Sequence, residues 1–197
     1  MCGRFVLASS AQAIAEYLQA EVPDRFVSRY NIAPTTPVLA QTGSGLTFFR
    51  WGLVPAWAKD TAIGNRMFNA RAETIQQKPS FKNAFRRRRC LLPASGFYEW
   101  HQESGIKQPY FCHLDQALFS FAGIWEHWQD AQGNELQSCA ILTTEAVGEL
   151  ARIHHRMPVV IRDERHADWL DHHTESSETA VDCISQLDSG FKIYPVS

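Results

Sequence analysis

The sequence predicts an α+β fold, a single domain with a largely antiparallel, barrel-like β core flanked by short helices. Between residues 90 and 143, strand-like segments alternate with turn-forming residues at the spacing of an antiparallel sheet or barrel. The helical patterns are short and lie on either side of that stretch. The chain has 197 residues, of which 45% are hydrophobic and 20% charged. This length suits one core, so we expect one domain over residues 1–197.

The first 90 residues should supply three strands and two helices. A serine cap followed by an apolar stripe from Ala11 to Leu18 predicts the first helix. A turn rich in glycine and serine between two β-prone segments predicts a hairpin. The predicted elements are a strand at 3–7, a helix from a cap at Ser9 or Ser10 to Leu18, strands at 37–41 and 46–51, a loop at 51–57 with Trp51 in the core, and a helix capped by Ser80 that runs through Phe85 to the arginines 86–89.

The remaining chain begins with a series of strands and ends with mixed elements. Turn signals at 103–105, 115–116 and 130–134 separate the strands. The predicted elements are strands at 90–93, 96–101, 109–114, 118–128 and 136–143, a helix at 144–152, a strand at 158–161, helices near 164–170 and 178–187, and a last strand at 191–194.

Several classes of protein do not fit the composition. The five cysteines are widely spaced and form no C-x-x-C pair, which argues against a disulfide framework and a thiolate zinc site. The eight histidines form no H-E-x-x-H motif. We therefore expect no metal and no cofactor. No apolar run approaches the length of a membrane span or a signal peptide, so we expect a cytoplasmic protein.

Cys2 becomes chemically special if the initiator methionine is removed. It then carries an α-amine, with an ordinary pKa of about 7.7 to 8.0, on the carbon next to its thiol. An aldehyde can form a Schiff base with this amine and then be captured by the sulfur in a five-membered thiazolidine ring. The alternative reading is a frayed terminus with an incidental small hydrophobic residue.

Positive charge is concentrated in one segment. Residues 64–90 contain eight Lys or Arg and one Glu, a net charge of +7, so the rest of the chain carries −9 of the total of −2. One basic segment on an acidic body suggests a local phosphate-binding track. A solvated helix face is the alternative reading of the same charges.

Four polar residues stand in apolar or strand-like surroundings: Asn31, Asn69, Glu99 and His154. Each has an ordinary structural explanation when taken alone. Glu99 alternates with Phe97 and could point to solvent, His154 could lie on the surface at a helix end, and Asn69 could form a turn. The sequence pattern by itself leaves these alternatives open.

Taken together with the terminus, these segments closely resemble the SRAP family (SOS response-associated peptidase). The matching pieces are MCGRF, RYNIAP, WGLVPAWAKD, FNARAET, RRRRCLLPASGFYEW and RIHHRMPVVI, in the order found in that family. They cover residues 1 to about 171. In that family the exposed cysteine forms a thiazolidine with the aldehyde of an abasic site in single-stranded DNA, and a peptidase activity removes what precedes the cysteine. The resemblance implies the same for Cys2.

By the same resemblance, Asn69, Glu99 and His154 join Cys2 at the active-site positions. An acid must help the closed abasic sugar to open, and His154 suits that role near neutral pH. Glu99 would take and return protons at the Cys2 amine, for which a partly buried carboxylate with a raised pKa is suited. Asn69 would hold the amine or a sugar hydroxyl in line.

The resemblance also implies a single-stranded DNA partner and contact residues for it. Arg4 and Arg71 would grip the flanking phosphates, with Lys78 as a further candidate. Trp57 and Pro34 would brace bases or sugar beside the missing base. We expect a monomer associated with DNA. Family members usually continue past a Pro-Val-Ser like that at 195–197, so the short C-terminus affects stability or DNA contacts rather than the four active-site positions.

Two other functions are compatible with parts of the pattern. An N-terminal-nucleophile amidohydrolase would use the Cys2 thiol on an amide with its own amine as base, and would need no basic track. A non-catalytic reader of single strands or modified bases would use the arginines and tryptophans and leave Cys2 inert.

Overall fold

The strands account for most of the architecture. A computed structural model describes residues 2–103, 105–171, 177–185 and 190–197. The strands in these ranges, numbered in chain order, are β1 Arg4–Leu7, β2 Arg29–Ile32, β3 Pro37–Thr42, β4 Gly45–Trp51, β5 Asn69–Arg71, β6 Arg89–Ala94, β7 Gly96–Glu103, β8 Ile106–His113, β9 Phe119–Gln129, β10 Glu135–Glu145, β11 Arg156–Pro158, β12 Val160–Ile161 and β13 Lys192–Pro195.

The helices are short and sit between or after the strands. They are α1 Ala11–Leu18, α2 Lys82–Arg87, α3 His166–Leu170 and α4 Ser177–Ser185, with 3₁₀ turns at Thr61–Arg66, Ala72–Thr74, Gly148–Arg152 and Asp163–Arg165. The α1 prediction is confirmed, because the Ala13 N–H donates to the Ser10 side chain at 3.2 Å and caps the helix. Within the described residues, no helix is both long and apolar enough to span a membrane.

Five strands close into a barrel. The order is β10-β4-β3-β6-β9, and β9 pairs again with β10 to complete the ring. All of these pairs are antiparallel except β4 with β10. The strands alternate between two cores: Phe121 points into the barrel, whereas Ala122 and Ile124 face the helices outside it. The predicted α+β fold with a largely antiparallel, barrel-like core is confirmed.

A second sheet covers one side of the barrel, in the order β13-β8-β7-β1-β2. Its third and fourth members, β7 and β1, bring the start of the chain against the barrel. The Phe5 ring meets Trp51 and Phe121 edge to face, at centroid distances of 5.2 and 5.8 Å. The predicted burial of Trp51 is confirmed. The N-terminal strand is therefore held by its two neighbouring strands and by the barrel beneath it.

The predicted helix at 144–152 is wrong over its first residues. Strand β10 continues to Glu145, because β11 pairs with its end and Glu73 accepts hydrogen bonds from Thr144 Oγ1 and Glu145 N. Only the 3₁₀ turn Gly148–Arg152 remains of that helix. Long-range pairing has overridden the local pattern.

Other differences are smaller and also come from pairing. Strand β2 was not predicted, and it forms because β1 pairs with it. The predicted strand at 158–161 splits into β11 and β12, and α2 starts after Phe81 with no side-chain cap, so the Ser80 cap is wrong. The predicted turn residue Ser104 and the predicted helix end at Leu187 lie outside the described residues.

The arginine run divides into surface and structural residues. Arg86 and Arg87 are exposed at the end of α2, and Arg88 pairs with Glu126 at 2.7 Å. Arg89 is buried and donates to the backbone carbonyls of four residues: Phe85, Arg86, Trp169 and Asp171. Part of the +7 segment therefore serves the fold and is not available to phosphates.

Arg89→Met should destabilise the protein by about 3 kcal/mol, because it leaves several buried carbonyls without a charged donor. Arg87→Met is the matched control from the same run, and its effect should stay within about 0.5 kcal/mol. Urea denaturation followed by circular dichroism measures both. Equal effects at the two positions would show that the buried hydrogen bonds of Arg89 contribute little.

Candidate functional site

Cys2 lies two residues before the start of β1 and is buried. Its Sγ is 3.9 Å from the Arg4 carbonyl oxygen. Burial raises the pKa of its thiol well above the ordinary value, and the charge of Glu99 raises it further. The sulfur is therefore a protonated thiol near neutral pH, and it needs a base before it can react as a thiolate.

Asn69 fixes the backbone at Cys2. Strand β5 pairs in parallel with β10, with Asn69 opposite Ile141. The Asn69 side-chain amide donates from Nδ2 to the Cys2 carbonyl oxygen at 3.0 Å. Its Oδ1 is buried and accepts no hydrogen bond from the described residues. This side chain holds the N-terminal segment and keeps one acceptor for another donor.

Glu99 lies on the inner face of β7 and is only 2% exposed. Burial raises the pKa of its carboxyl group above the ordinary range. Burial also raises the pKa of the neighbouring Cys112 thiol, to about 12, with a further contribution from the charge of Glu99. A carboxyl group with a raised pKa beside two thiols can serve as a proton donor and acceptor.

His154 follows the 3₁₀ turn Gly148–Arg152, and both polar backbone groups of Arg156 reach one of its ring nitrogens. The Arg156 N–H donates to Nδ1 at 2.9 Å, and the Arg156 carbonyl oxygen lies 3.1 Å from the same atom. Nδ1 therefore has a backbone partner in either protonation state of the ring. Burial lowers the pKa of His154.

His155 is a residue that sequence reasoning missed. Its ring stacks on His154 at 4.3 Å between centroids, and the charge of His154 lowers its pKa most strongly. The charge of His155 acts to lower the pKa of Glu99, against the larger effect of burial. The charge of Arg71 acts to lower the pKa of His155. The adjacent pair in IHHRMP was the available signal. Through His155, the electrostatic contacts link Glu99 with His154.

A second missed feature is the ion pair between Glu73 and Arg156. The guanidinium binds the carboxylate through two hydrogen bonds of 2.8 and 2.9 Å and also donates to the Thr143 carbonyl oxygen at 2.6 Å. Hydrogen bonds from Arg156 lower the pKa of Glu73 to about 2. This clamp joins the segment that carries Asn69 and Arg71 to the segment that carries His154.

The predicted DNA-binding residues fall into two groups. Arg4 donates to the Gly3 carbonyl oxygen at 2.9 Å and lines a cavity of about 440 Å³ with Trp100, and exposed Arg71 lies close to His155. The other three candidates are half-buried Pro34, exposed Lys78 and Trp57, which is 61% exposed. Contact with DNA stays a prediction for all five residues.

The described ranges contain no group of three or more histidine, cysteine, aspartate or glutamate side chains close enough to bind one ion.

Known proteins resemble this chain over its whole length. A family model described as SOS response associated peptidase (SRAP) matches residues 1–197. The abasic site processing protein YoqW of Bacillus subtilis is 41% identical over 180 residues, covering 87% of this chain and 80% of its own. YoaM of the same organism, with the same description, is 40% identical and covers 100% and 91%. The abasic site processing protein HMCES of Rattus norvegicus is 32% identical and covers 89% and 62%.

Solved structures share the fold. A protein from Bacteroides thetaiotaomicron superposes with a TM-score of 0.93 at 26% identity, covering 100% of this chain and 92% of its own. A phage-related protein from Bordetella bronchiseptica superposes with a TM-score of 0.76 at 31% identity, covering 99% and 94%. The arrangement of barrel and covering sheet is thus an established one.

Glu73→Gln should lower stability above pH 5 and reduce its loss in acid. The folded-state pKa of about 2 lies below the ordinary value, so the ion pair stabilises the fold above that ordinary value and its contribution disappears as pH falls toward 2. We expect an effect on the order of 1 kcal/mol, discounted because the side chain is 42% exposed. Urea titrations at several pH values measure it, with surface Glu149→Gln as control. A parallel acid dependence in Glu73→Gln and wild type would contradict this role.

Proposed function

This chain belongs to the SRAP family of SOS response-associated peptidases, and we propose that it processes abasic sites in DNA, the activity for which its relatives are named. In detail, it binds single-stranded DNA and joins Cys2 covalently to the aldehyde of an abasic site. The observation that supports this most is the placement of Cys2, whose carbonyl is held by Asn69 and whose thiol lies within the field of Glu99.

The reaction needs a free α-amine on Cys2, so Met1 is removed first. The amine attacks the C1′ aldehyde of the opened sugar to give a carbinolamine, which loses water to form an imine. The imine keeps its proton on nitrogen as water leaves, and the Cys2 sulfur then adds to its carbon while the thiol proton passes to the carboxylate that gave up its proton to the leaving hydroxyl. One aldehyde and one aminothiol thus give one thiazolidine and one water.

Proton transfers are divided between two side chains. His154 protonates the ring oxygen through Nε2 as the hemiacetal opens, and the Arg156 carbonyl accepts from Nδ1–H in the charged ring. The lowered pKa of His154 makes the protonated ring a stronger acid but a less populated one at neutral pH. Glu99, with its raised pKa, protonates the leaving hydroxyl of the carbinolamine and then takes the thiol proton.

The DNA backbone is held by cations at the edge of the site. Arg4 and Arg71 bind the phosphates on either side of the abasic nucleotide, and Lys78, Trp57 and Pro34 contact the strand farther away. Because phosphate contacts dominate affinity for a single strand, binding should not depend on the Cys2 thiol.

Cys2→Ala should abolish the covalent adduct while leaving noncovalent binding largely unchanged. Uracil-containing single-stranded DNA treated with a glycosylase supplies the abasic site, a denaturing gel scores the adduct, and fluorescence anisotropy scores binding. Cys183→Ala is the control. It changes a buried cysteine of helix α4 and should retain full adduct yield.

A heat-stable adduct with the Cys2→Ala protein would remove Cys2 from the mechanism. Failure of the wild-type protein to form any adduct, together with cleavage of amide substrates, would favour the amidohydrolase reading. Single-strand binding with neither reaction would favour a non-catalytic reader.

An extension placed before Cys2 should be released by the purified protein. The Cys2 sulfur attacks the preceding carbonyl carbon, the amide nitrogen leaves as the protonated amine, and water hydrolyses the resulting thioester. Glu99→Gln should slow release by about 10²- to 10⁴-fold because the proton carrier is lost, whereas Glu149→Gln should have no effect. Intact-mass spectrometry over time measures the cleavage. Adduct formation at the normal rate by protein that keeps its extension would show that the α-amine is not required.

A further inference from the structure

The second sheet, β13-β8-β7-β1-β2, carries on its outer face aromatic rings that the proposed chemistry does not use. We call the aromatic platform the set Tyr30, Tyr98, Phe111, His113 and Tyr194, which line one cavity of about 480 Å³. The Phe111 ring lies at the centre, with centroid distances of 5.3 Å to Tyr98, 5.7 Å to His113 and 5.6 Å to Tyr194. Four of the five rings are thus joined through Phe111, and Tyr30 lines the same cavity.

The backbone is adapted to this surface. Strand alternation places Phe97 and Cys112 in the core and sends their neighbours Tyr98 and Phe111 outward. A Cβ at Gly96 would overlap the Phe111 ring, so the absence of a side chain there lets that ring lie over β7. Tyr30 and Tyr194 remain 69% and 46% exposed, although large apolar side chains are usually buried. An exposed aromatic patch of this kind is typical of a binding surface.

The platform is continuous with the proposed active site. Strand β7 carries Glu99 on its inner face and Tyr98 and Trp100 on its outer face. Tyr98 also lines the smaller cavity that contains Arg4 and Trp100. A strand that leaves the site past Arg4 would therefore pass directly onto the platform.

We propose that the aromatic platform stacks unpaired bases of single-stranded DNA next to the segment held at the active site; this inference rests on the proposed function. Aromatic faces stack on any base, which suits an enzyme whose substrate is defined by a missing base and not by sequence. The acid at the edge of this surface, Asp115, is paired with Lys192, so its charge is neutralised. Arg4 supplies the positive charge that continues the path.

Binding of oligonucleotides without an abasic site tests the platform apart from the Cys2 chemistry. Tyr194→Ala should weaken binding of a long single strand by roughly 5- to 150-fold, the range for loss of one stacked base. Tyr194→Phe keeps the ring and should bind as the wild type does. Val27→Ala changes an exposed side chain elsewhere and should have no effect. An oligonucleotide that spans only the active site should bind all four proteins equally. Equal binding of the long strand by Tyr194→Ala and wild type would overturn the proposal.

Photocrosslinking gives a result that does not depend on a variant folding. A single strand that carries 5-iodouracil at successive positions is irradiated with wild-type protein, and the modified peptides are mapped by mass spectrometry. Crosslinks to Tyr30, Phe111 or Tyr194 support the platform, and crosslinks confined to other surfaces overturn it.

Sedimentation tests whether a second copy of the chain covers this face. A wild-type dimer that the Tyr194→Ala substitution dissociates would assign the face to that second copy and overturn the proposal. Normal abasic adducts with a negative platform result would refute only this inference, whereas platform binding without adducts would refute only the proposed chemistry.

Discussion

The packing of β1, a member of the second sheet, against the barrel is the constraint on which the candidate site depends. Chain termini usually fray, because few contacts hold them. Here β1 is paired on both edges, with β7 and β2, and Phe5 is locked against Trp51 and Phe121. Cys2 therefore occupies a defined place two residues before the first residue of β1. A nucleophile at a terminus can be positioned for reaction only when its backbone is held in this way.

Burial also determines the electrostatics around Cys2. The same packing that orders the terminus removes water from Glu99 and from the thiols of Cys2 and Cys112, which raises the pKa of all three. A buried carboxyl group with a raised pKa holds its proton more firmly than an exposed one, which suits the proton transfers of the proposed reaction. Order and reactivity at this site therefore have one physical origin.

Some arginines stabilise the fold, and others remain at the surface beside the candidate site. Arg89 and Arg156 are buried, and each donates hydrogen bonds to several oxygens, so they stabilise the framework. Arg4 and Arg71 keep guanidinium groups at the margin of the site. The aromatic platform adds an uncharged surface beside them. A net positive segment in the sequence is thus a poor measure of how much cationic surface a nucleic acid would meet.

Local sequence patterns were enough to predict most helices and strands and to identify the candidate site residues. The Ser10 cap, the hairpin of β3 and β4 and most strands of the barrel follow from caps, turn residues and alternation, which are local properties. The motifs around Cys2, Asn69, Glu99 and His154 likewise identified the side chains that the fold places in linked positions. Four features became evident only in the folded chain: the closure of the barrel, the extension of β10 to Glu145, the burial of Arg89 and the ion pair between Glu73 and Arg156. Each of these depends on a partner far away in the chain, and local periodicity carries no information about which distant residue will supply it.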